Sequence, residues 1–478
     1  MTDTTPNITF YERVEDALQD TQARGAFDRA TKRFTTLRAI AFTSLPADGD
    51  TTRDQARAIR AHTLSHLDHY LAQFADAVEK AGGQVHWAAD AAEANRIIGE
   101  IAQANNVKRV VKSKSMVSEE IHLNHALEAI GCEVIESDLG EYIIQLAGET
   151  PSHIITPVIH KTKEQVGEIL RDKIGMPPTN EVTEMTAFVR AKMREIFLTA
   201  DMGISGVNFG VAETGTITMV TNEGNGRMTT TCPRIHVAVM GIERLVPTLD
   251  DLAIMLEVLG RSATGQKLSV YTNLITGPRR SYEADGPNEL HIVLIDNGRS
   301  KILGTEIAEI LYCIRCGACL NACPVYREIG GHAYGSVYPG PIGSVITPAL
   351  YGVAAWSELP HASSLCGACR EVCPVRIDLP GLLLKLRHQS DEAGMTPKYL
   401  QVGLRGFRMA GTHPTLFHLG VMFASFGSRL IASHGWIKRL PGPLAHWTQS
   451  RDFPVFAKES FSTQLKKRRR ASGTEGKR

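Results

Sequence analysis

Seven of the chain's nine cysteines fall within residues 311–374, in two runs whose spacing few folds accommodate. The first run reads Cys313-Ile-Arg-Cys316-Gly-Ala-Cys319-Leu-Asn-Ala-Cys323-Pro324, and the second Cys366-Gly-Ala-Cys369-Arg-Glu-Val-Cys373-Pro374. The first spacing, Cys-x2-Cys-x2-Cys-x3-Cys-Pro, is the bacterial ferredoxin arrangement, in which three close thiolates wrap one cubane cluster and the fourth is turned away to ligate another. Zinc is the alternative metal, but a zinc ribbon needs only two Cys pairs in tetrahedral geometry and has no use for the third cysteine or the Cys-Pro.

Crossed ligation of the two-cluster ferredoxin kind assigns Cys313, Cys316, Cys319 and Cys373 to a first 4Fe-4S cluster, with four thiolates. The second cluster then takes Cys323, Cys366 and Cys369, and its fourth ligand falls three residues before Cys366, at Ser363. A serine hydroxyl is a poor replacement, because its proton is far harder to remove than a thiol's and oxygen is the harder ligand. Three states of the second site stay open: a 4Fe-4S cluster with one iron free or capped by Ser363, solvent or a partner's side chain; a 3Fe-4S cluster; or a vestigial site. Occupancy is favoured, since Cys323 and Cys369 otherwise have no use at that spacing. Each Cys-Pro ends a turn that a helix cannot continue, and Gly317 and Gly367 admit close backbone approach. Cys132 and Cys232 lie far away and are expected to be buried apolar packing.

At 478 residues and 43% hydrophobic, the chain is long enough for two or three domains, each with its own core. A net charge of +1 gives no field that argues for nucleic acid. The polar, acidic first ten residues carry no basic apolar leader, so the expected location is cytoplasmic. Reducing cytosol disfavours structural disulfides and favours clustered cysteines as metal ligands or redox groups.

Residues 1–61 are expected to be an N-terminal segment, extended and then helical. Apolar residues at helical spacing continue the helix over 62–81, where Gly82-Gly83 stops it. Strands at 84–88, 107–112, 132–136 and 153–158 alternate with helices at 91–104 and 117–130, which implies a parallel sheet covered on both faces. A helix over 181–199 precedes a strand-like stretch at 206–221 with glycines at its turns, and further strands are expected at 234–241, 268–275 and 290–296 with a helix at 248–260. The α/β domain therefore occupies 62–298. A helix at 300–311 leads into an iron–sulfur domain over 299–385, whose residues 324–365 read as a Gly- and Pro-rich loop. Residues 386–478 read as a helical C-terminal region with a basic tail, and no solenoid repeat is present. The apolar stretch 415–433 is interrupted by polar residues and falls short of the roughly 20 apolar residues of a bilayer span. A docking helix is the favoured reading, with membrane-surface contact second.

These features together resemble the lactate-utilisation iron–sulfur protein B family, which joins a lactate-utilisation (LUD) domain to a ferredoxin-like domain. The resemblance rests on Lys112-Ser-Lys-Ser-Met-Val-Ser-Glu-Glu120, Ala212-Glu-Thr-Gly-Thr216, residues 313–326 and residues 363–375, and extends from about residue 60 to the C-terminus. It implies an α/β domain similar to the sugar-isomerase and CoA-transferase fold, and the absence of a cysteine at the position of Ser363 as a family trait. It also implies oxidation of L-lactate to pyruvate alongside two partners: a cysteine-rich protein like heterodisulfide-reductase subunits and a second LUD-domain protein.

Within the α/β domain, Lys112 and Lys114 end a strand before a helix, where a lysine pair holds a carboxylate or phosphate; equally, the stretch reads as a solvated loop with Ser115 or Ser118 capping the helix. Glu213 reads as a carboxylate aimed into a cleft or, preferably, as a turn-stabilising group. No G-x-G-x-x-G follows a strand, so a nicotinamide or flavin site of that type is not indicated. Three functions compete: an iron–sulfur electron-transfer component of a lactate-oxidising complex, a stand-alone oxidoreductase binding a hydroxy acid near Lys112, Lys114 and Glu213, and an iron–sulfur scaffold or regulator.

Overall fold

Short β-branched runs build the centre of the chain. The computed structural model describes residues 9–45, 47–449 and 451–471. Its strands are β1 (Gln84–Ala88), β2 (Arg109–Lys112), β3 (Glu133–Glu136), β4 (Met202–Gly206), β5 (Phe209–Val211), β6 (Thr216–Thr221), β7 (Ile235–Gly241), β8 (Leu245–Val246), β9 (Tyr271–Ile275) and β10 (Glu289–Ile295). Six of them form a wholly parallel sheet in the order β1-β10-β7-β4-β2-β3. A smaller sheet, β8-β5-β6-β9, is antiparallel except where β5 meets β8.

Both faces of the large sheet are buried. Along β7, Val237 and Val239 join a core with Val110, Ile204 and Val293 and with Ile98 and Ile101 of the helix Ala91–Ala104. Ala238 and Met240 belong to a second core, shared with Leu290, Ile292 and Leu294 of β10 and with Phe74 and Val78 of the helix Leu67–Lys80. This alternation within β7, with both of its faces covered by helices, is the doubly covered α/β layer that the strand–helix alternation implies.

Several local expectations are corrected. Residues 153–158 form a turn and not a strand: the amides of Ile155 and Thr156 donate to the ring Nδ1 of His153 at 3.0 and 3.2 Å, and the Ser152 amide donates to the Pro157 carbonyl at 3.1 Å. Pro157 has no amide to offer a ladder. The expected helix at 117–130 is two, Met116–Glu120 and Leu123–Ala129, parted at His122 with φ 52°. The helix expected at 62–81 likewise breaks at His66, between Gly49–Ser65 and Leu67–Lys80. Ahead of it, Phe10–Gln19 and Thr21–Phe42 are helical, while residues 1–8 of the expected extended segment lie outside the described residues. The helix expected at 300–311 stops at Ile302, whose carbonyl accepts from the Thr305 hydroxyl at 2.7 Å, and only a 3-10 turn, Ala308–Tyr312, follows.

The Gly- and Pro-rich stretch 324–365 is not a loop. It contains the helices Pro324–Ile329 and Gly340–Tyr351, and every residue from Gly340 to Pro348 is buried. Pro341 sits at the helix start, where a missing amide costs nothing, and Ile342, Val345 and Ile346 bury at helical spacing.

The chain divides into two compact units, Met1–Ala393 and Gly394–Arg478. In the second, the helices Lys398–Thr412 and Pro414–Leu430 precede a two-residue strand pair, Trp436–Ile437 with Phe453–Pro454, and the helix Phe461–Ala471. Among the described residues no helix is long and apolar enough to cross a membrane.

Candidate functional site

The two cysteine runs meet through their short helices, Ala318–Ala322 packing on Ala368–Glu371. Gly317 and Gly367 precede those helices at φ 73° and 85°, a left-handed conformation that only glycine adopts without strain. Each glycine turns the chain between two cysteines of its run. Cys313, Cys316, Cys319 and Cys373 line a single small cavity, whose remaining walls include Ile154, Ile314, Ile342, Val375, Ile377 and Leu379.

This donor set fits an iron–sulfur cluster. The Arg315 amide points at Cys313 Sγ (3.4 Å) and the Ile377 amide at Cys373 Sγ (3.3 Å), the kind of hydrogen bond that stabilises a thiolate. Burial pushes the Cys316 thiol up to about 12 and the Cys373 thiol up to about 11, so these thiols ionise at neutral pH only against a strong positive charge such as bound iron. Among the described residues no three His, Cys, Asp or Glu side chains converge on a single-ion geometry; these four thiols ring a cavity.

The other three thiols gather beside the first set. Cys323 and Cys369 are buried and Cys366 is exposed. Burial pushes Cys369 up to about 12, and the neighbouring Cys323 and Cys366 add to it. The Tyr326 amide points at Cys323 Sγ at 3.5 Å. Ser363 is half-buried at the start of the second run. Of the two distant cysteines, Cys132 is buried, whereas Cys232 is exposed, contrary to the expected packing role; it follows the helix Asn225–Thr231 as its cap residue.

Guanidinium groups surround the first set. Arg53 Nε donates to the Cys373 carbonyl at 3.0 Å, and Arg244 Nη1 to the Cys313 carbonyl at 2.9 Å. Arg315, between Cys313 and Cys316, lies over the Tyr338 ring at 4.7 Å and pairs with Glu243 at 3.6 Å. Glu243 also pairs with Arg299 at 2.7 Å, and Arg299 makes a two-pronged pair with Glu120 at 2.8 Å on each arm.

The α/β candidates separate. Lys112 is fully buried, pairing with Glu119 at 2.6 Å and Glu136 at 2.8 Å; burial alone lowers its ammonium pKa, but the two carboxylates outweigh burial and raise it. Lys112 is thus internally neutralised. Ser115 caps the helix Met116–Glu120 by accepting from the Ser118 amide. Glu213 is held elsewhere, accepting from the Leu249 amide at 2.7 Å at the start of the helix Leu249–Ala263. The neighbouring Gly215 is fixed by packing: a Cβ there would lie 2.5 Å from the Val78 amide nitrogen. Only Lys114 of the three faces a large cavity, of about 380 Å³, shared with Arg244 and Arg315. Sequence reasoning passes over both arginines, although Arg244 follows the carboxyl end of β7 and Arg315 sits inside the first cysteine run.

Residues 71–295 match the LUD domain, residues 309–377 a 4Fe-4S dicluster domain, and residues 391–470 the lactate utilisation protein B C-terminal domain. A protein named lactate utilization protein B from Shouchella clausii is 48% identical over 462 residues, covering 96% of this chain and 97% of its own. One of the same name from Bacillus pumilus is 48% identical over 463 residues, covering 96% and 98%, and one from Macrococcus caseolyticus is 46% identical over 469 residues, covering 97% and 98%. With its two cysteine runs, its parallel α/β sheet and relatives this similar over nearly their whole length, the chain belongs to the lactate utilization protein B family.

Proposed function

We propose that this protein is the iron–sulfur electron-transfer component of a complex that oxidises L-lactate to pyruvate. The observation that carries this reading is the convergence of Cys313, Cys316, Cys319 and Cys373, from two separate runs, on one apolar cavity beside Cys323, Cys366 and Cys369. The names of the relatives supply the substrate. The first four cysteines hold one 4Fe-4S cluster, and Cys323, Cys366 and Cys369 hold a second, which is one thiolate short at Ser363. A bound cubane takes up or releases one electron at a time, so two clusters match the two electrons of an alcohol-to-ketone oxidation. The chain's own residues keep water from the first site, aim amides at its sulfurs and place guanidinium charge around it.

The proposed partners are a cysteine-rich subunit like those of heterodisulfide reductases and a second LUD-domain protein. In the helix Pro414–Leu430, Phe423 and Phe426 are 69% and 65% exposed while Ser425 and Ser428 are buried, an apolar surface that suits a protein partner.

The test is electron paramagnetic resonance of the anaerobically purified full chain, with and without the two partners, before and after L-lactate. The expected result is cluster reduction only when the partners are present. Reduction of the chain alone would instead make it a stand-alone oxidoreductase, and no reduction in any combination would leave a scaffold.

A further inference from the structure

The large cavity sits where doubly wound sheets place ligands. Strands β2 and β4 are neighbours, but within this sheet the chain leaves β2 toward β3 on one side and leaves β4 toward β7 on the other. That reversal opens a crevice at the carboxyl ends of the two strands, the usual ligand position in open α/β sheets. The cavity is lined there by Ser113 and Lys114 after β2 and by Gly206 and Asn208 at and after β4.

Its far wall is formed by Arg244 and Arg315 together with Glu243, while Asp138 and Glu223 also line the cavity. Four guanidinium groups, those of Arg60, Arg244 and Arg299 buried and that of Arg315 nearly so, lie together, and the carboxylates paired with them are Glu120 and Glu243. Arg60 directs its donors at the Leu245, Glu243 and Leu311 carbonyls, and Arg299 is fully paired. The Arg244 guanidinium makes one hydrogen bond, to the Cys313 carbonyl, and that of Arg315, paired with Glu243 at 3.6 Å, makes none among the described residues. Set against Glu120 and Glu243, the four guanidinium groups leave an excess of two positive charges, which the thiolates of a bound first cluster share; of the four, only Arg244 and Arg315 line the cavity, where a second anion reaches them. Thr156 also lines the cavity, and its hydroxyl is buried with no hydrogen-bond partner among the described residues. It offers a second, uncharged contact.

We propose that this cavity binds a 2-hydroxy or 2-oxo acid, with Arg244 and Arg315 holding the carboxylate and Thr156 the neighbouring oxygen. The inference rests on the electron-transfer reading for the choice of acid, but not for the existence of an anion site. Because Arg315 lies between two thiols of the first set and Arg244 holds the carbonyl of Cys313, a ligand bound there changes the surroundings of the first cluster.

The experiment is calorimetry of the anaerobically purified, cluster-loaded full chain with L-lactate, pyruvate and inorganic phosphate, paired with electron paramagnetic resonance of the reduced first cluster. The expected result is binding of an acid in preference to phosphate, with a shifted signal; Arg244→Met weakens binding tenfold or more and Thr156→Val weakens it severalfold with iron content unchanged. Thr156→Val keeps side-chain shape and charge, so it tests the site even if Arg244→Met loses iron. Absence of acid binding to wild type, tighter phosphate binding, or equal affinity in wild type and Thr156→Val would overturn the proposal. If the partners support lactate-driven reduction while both variants are reduced at the wild-type rate and half-saturating lactate, the cavity proposal fails and the electron-transfer reading stands. If wild type binds acid but is never reduced, the reverse holds.

Discussion

Ser363 Oγ accepts from the Leu365 amide at 3.1 Å, the same two-residue reach by which Cys313 Sγ accepts from the Arg315 amide at 3.4 Å. The loops agree further: Leu365 and Arg315 have φ 55° and 58°, and Gly367 and Gly317 have φ 85° and 73°. The serine therefore occupies in its loop the place that Cys313 occupies in the other. Ser363→Cys supplies a fourth thiolate at that place, and the expected outcome is a changed second-cluster signal, with about one more iron per chain where the wild-type site holds three. The first cluster's signal stays as it was. Iron quantification and electron paramagnetic resonance check this; a fully coordinated second four-iron signal in wild type, unchanged by the substitution, refutes incomplete ligation.

Glu120 ties the two halves of the first unit together. It accepts from Asn297 at 2.7 Å and from Arg299 on both oxygens at 2.8 Å, and the Tyr338 hydroxyl donates to it from beneath Arg315. Burial raises the Glu120 carboxyl, but Arg299 together with the Asn297 and Tyr338 hydrogen bonds outweighs burial and holds it below the usual range. Glu120→Gln leaves Arg299 with half its compensation inside the protein. The expected cost is about 3–5 kcal/mol, read from urea denaturation against wild type.

Legibility in the sequence follows the strength of local pattern. The helix Ala91–Ala104 and strand β10 are readable because their apolar periods are strong and uninterrupted. Residues 153–158 read as a strand because burial gives an apolar run, while the feature that decides their shape, capture of two amides by the His153 ring, is a side-chain event that no period records. The helix Gly340–Tyr351 is hidden by its composition, since its glycines and prolines suit a tightly packed interior as well as a loop. At the site, the four cysteines that line the small cavity are the four that spacing groups together. Arg244 is not legible in the sequence, because its role depends on the three-dimensional meeting of β7's carboxyl end with the Cys313 carbonyl, 69 residues away.

His236 makes the fold sensitive to acid. Its ring is fully buried against the Ser205 hydroxyl at 2.8 Å, and burial, with a smaller contribution from His291, holds it down to about 3. The folded value lies below the ordinary histidine value, so the unfolded chain takes up the proton first. Stability from this residue is complete above about pH 6.5 and falls as pH drops toward 3, by about 1.4 kcal/mol per pH unit. Between pH 7 and pH 5 wild type should lose about 2 kcal/mol more than His236→Gln. Urea midpoints of both proteins at the two pH values check it, and equal losses would mean that His236 does not set the acid sensitivity.

The surface of the second unit carries the partner prediction. In the helix Pro414–Leu430 the buried residues are Ser425 and Ser428, which bond to the Ala457 carbonyl at 2.8 Å and the Phe456 amide at 3.2 Å. Phe423, Phe426 and Leu430 face outward, at 69%, 65% and 72% exposure. Aromatic anchors of this kind dominate protein interfaces, and each is worth about 2 kcal/mol or more when fully covered. Phe423→Asp together with Phe426→Asp changes only outward-facing positions of the second unit, outside both cysteine runs, so iron content and cluster spectra are expected to stay at wild-type values. Affinity for the proposed cysteine-rich partner should fall by roughly 30-fold or more, measured by surface plasmon resonance under anaerobic conditions. Unchanged affinity would place the partner's contact elsewhere on the chain, and lost iron would mean that the two phenylalanines serve the fold.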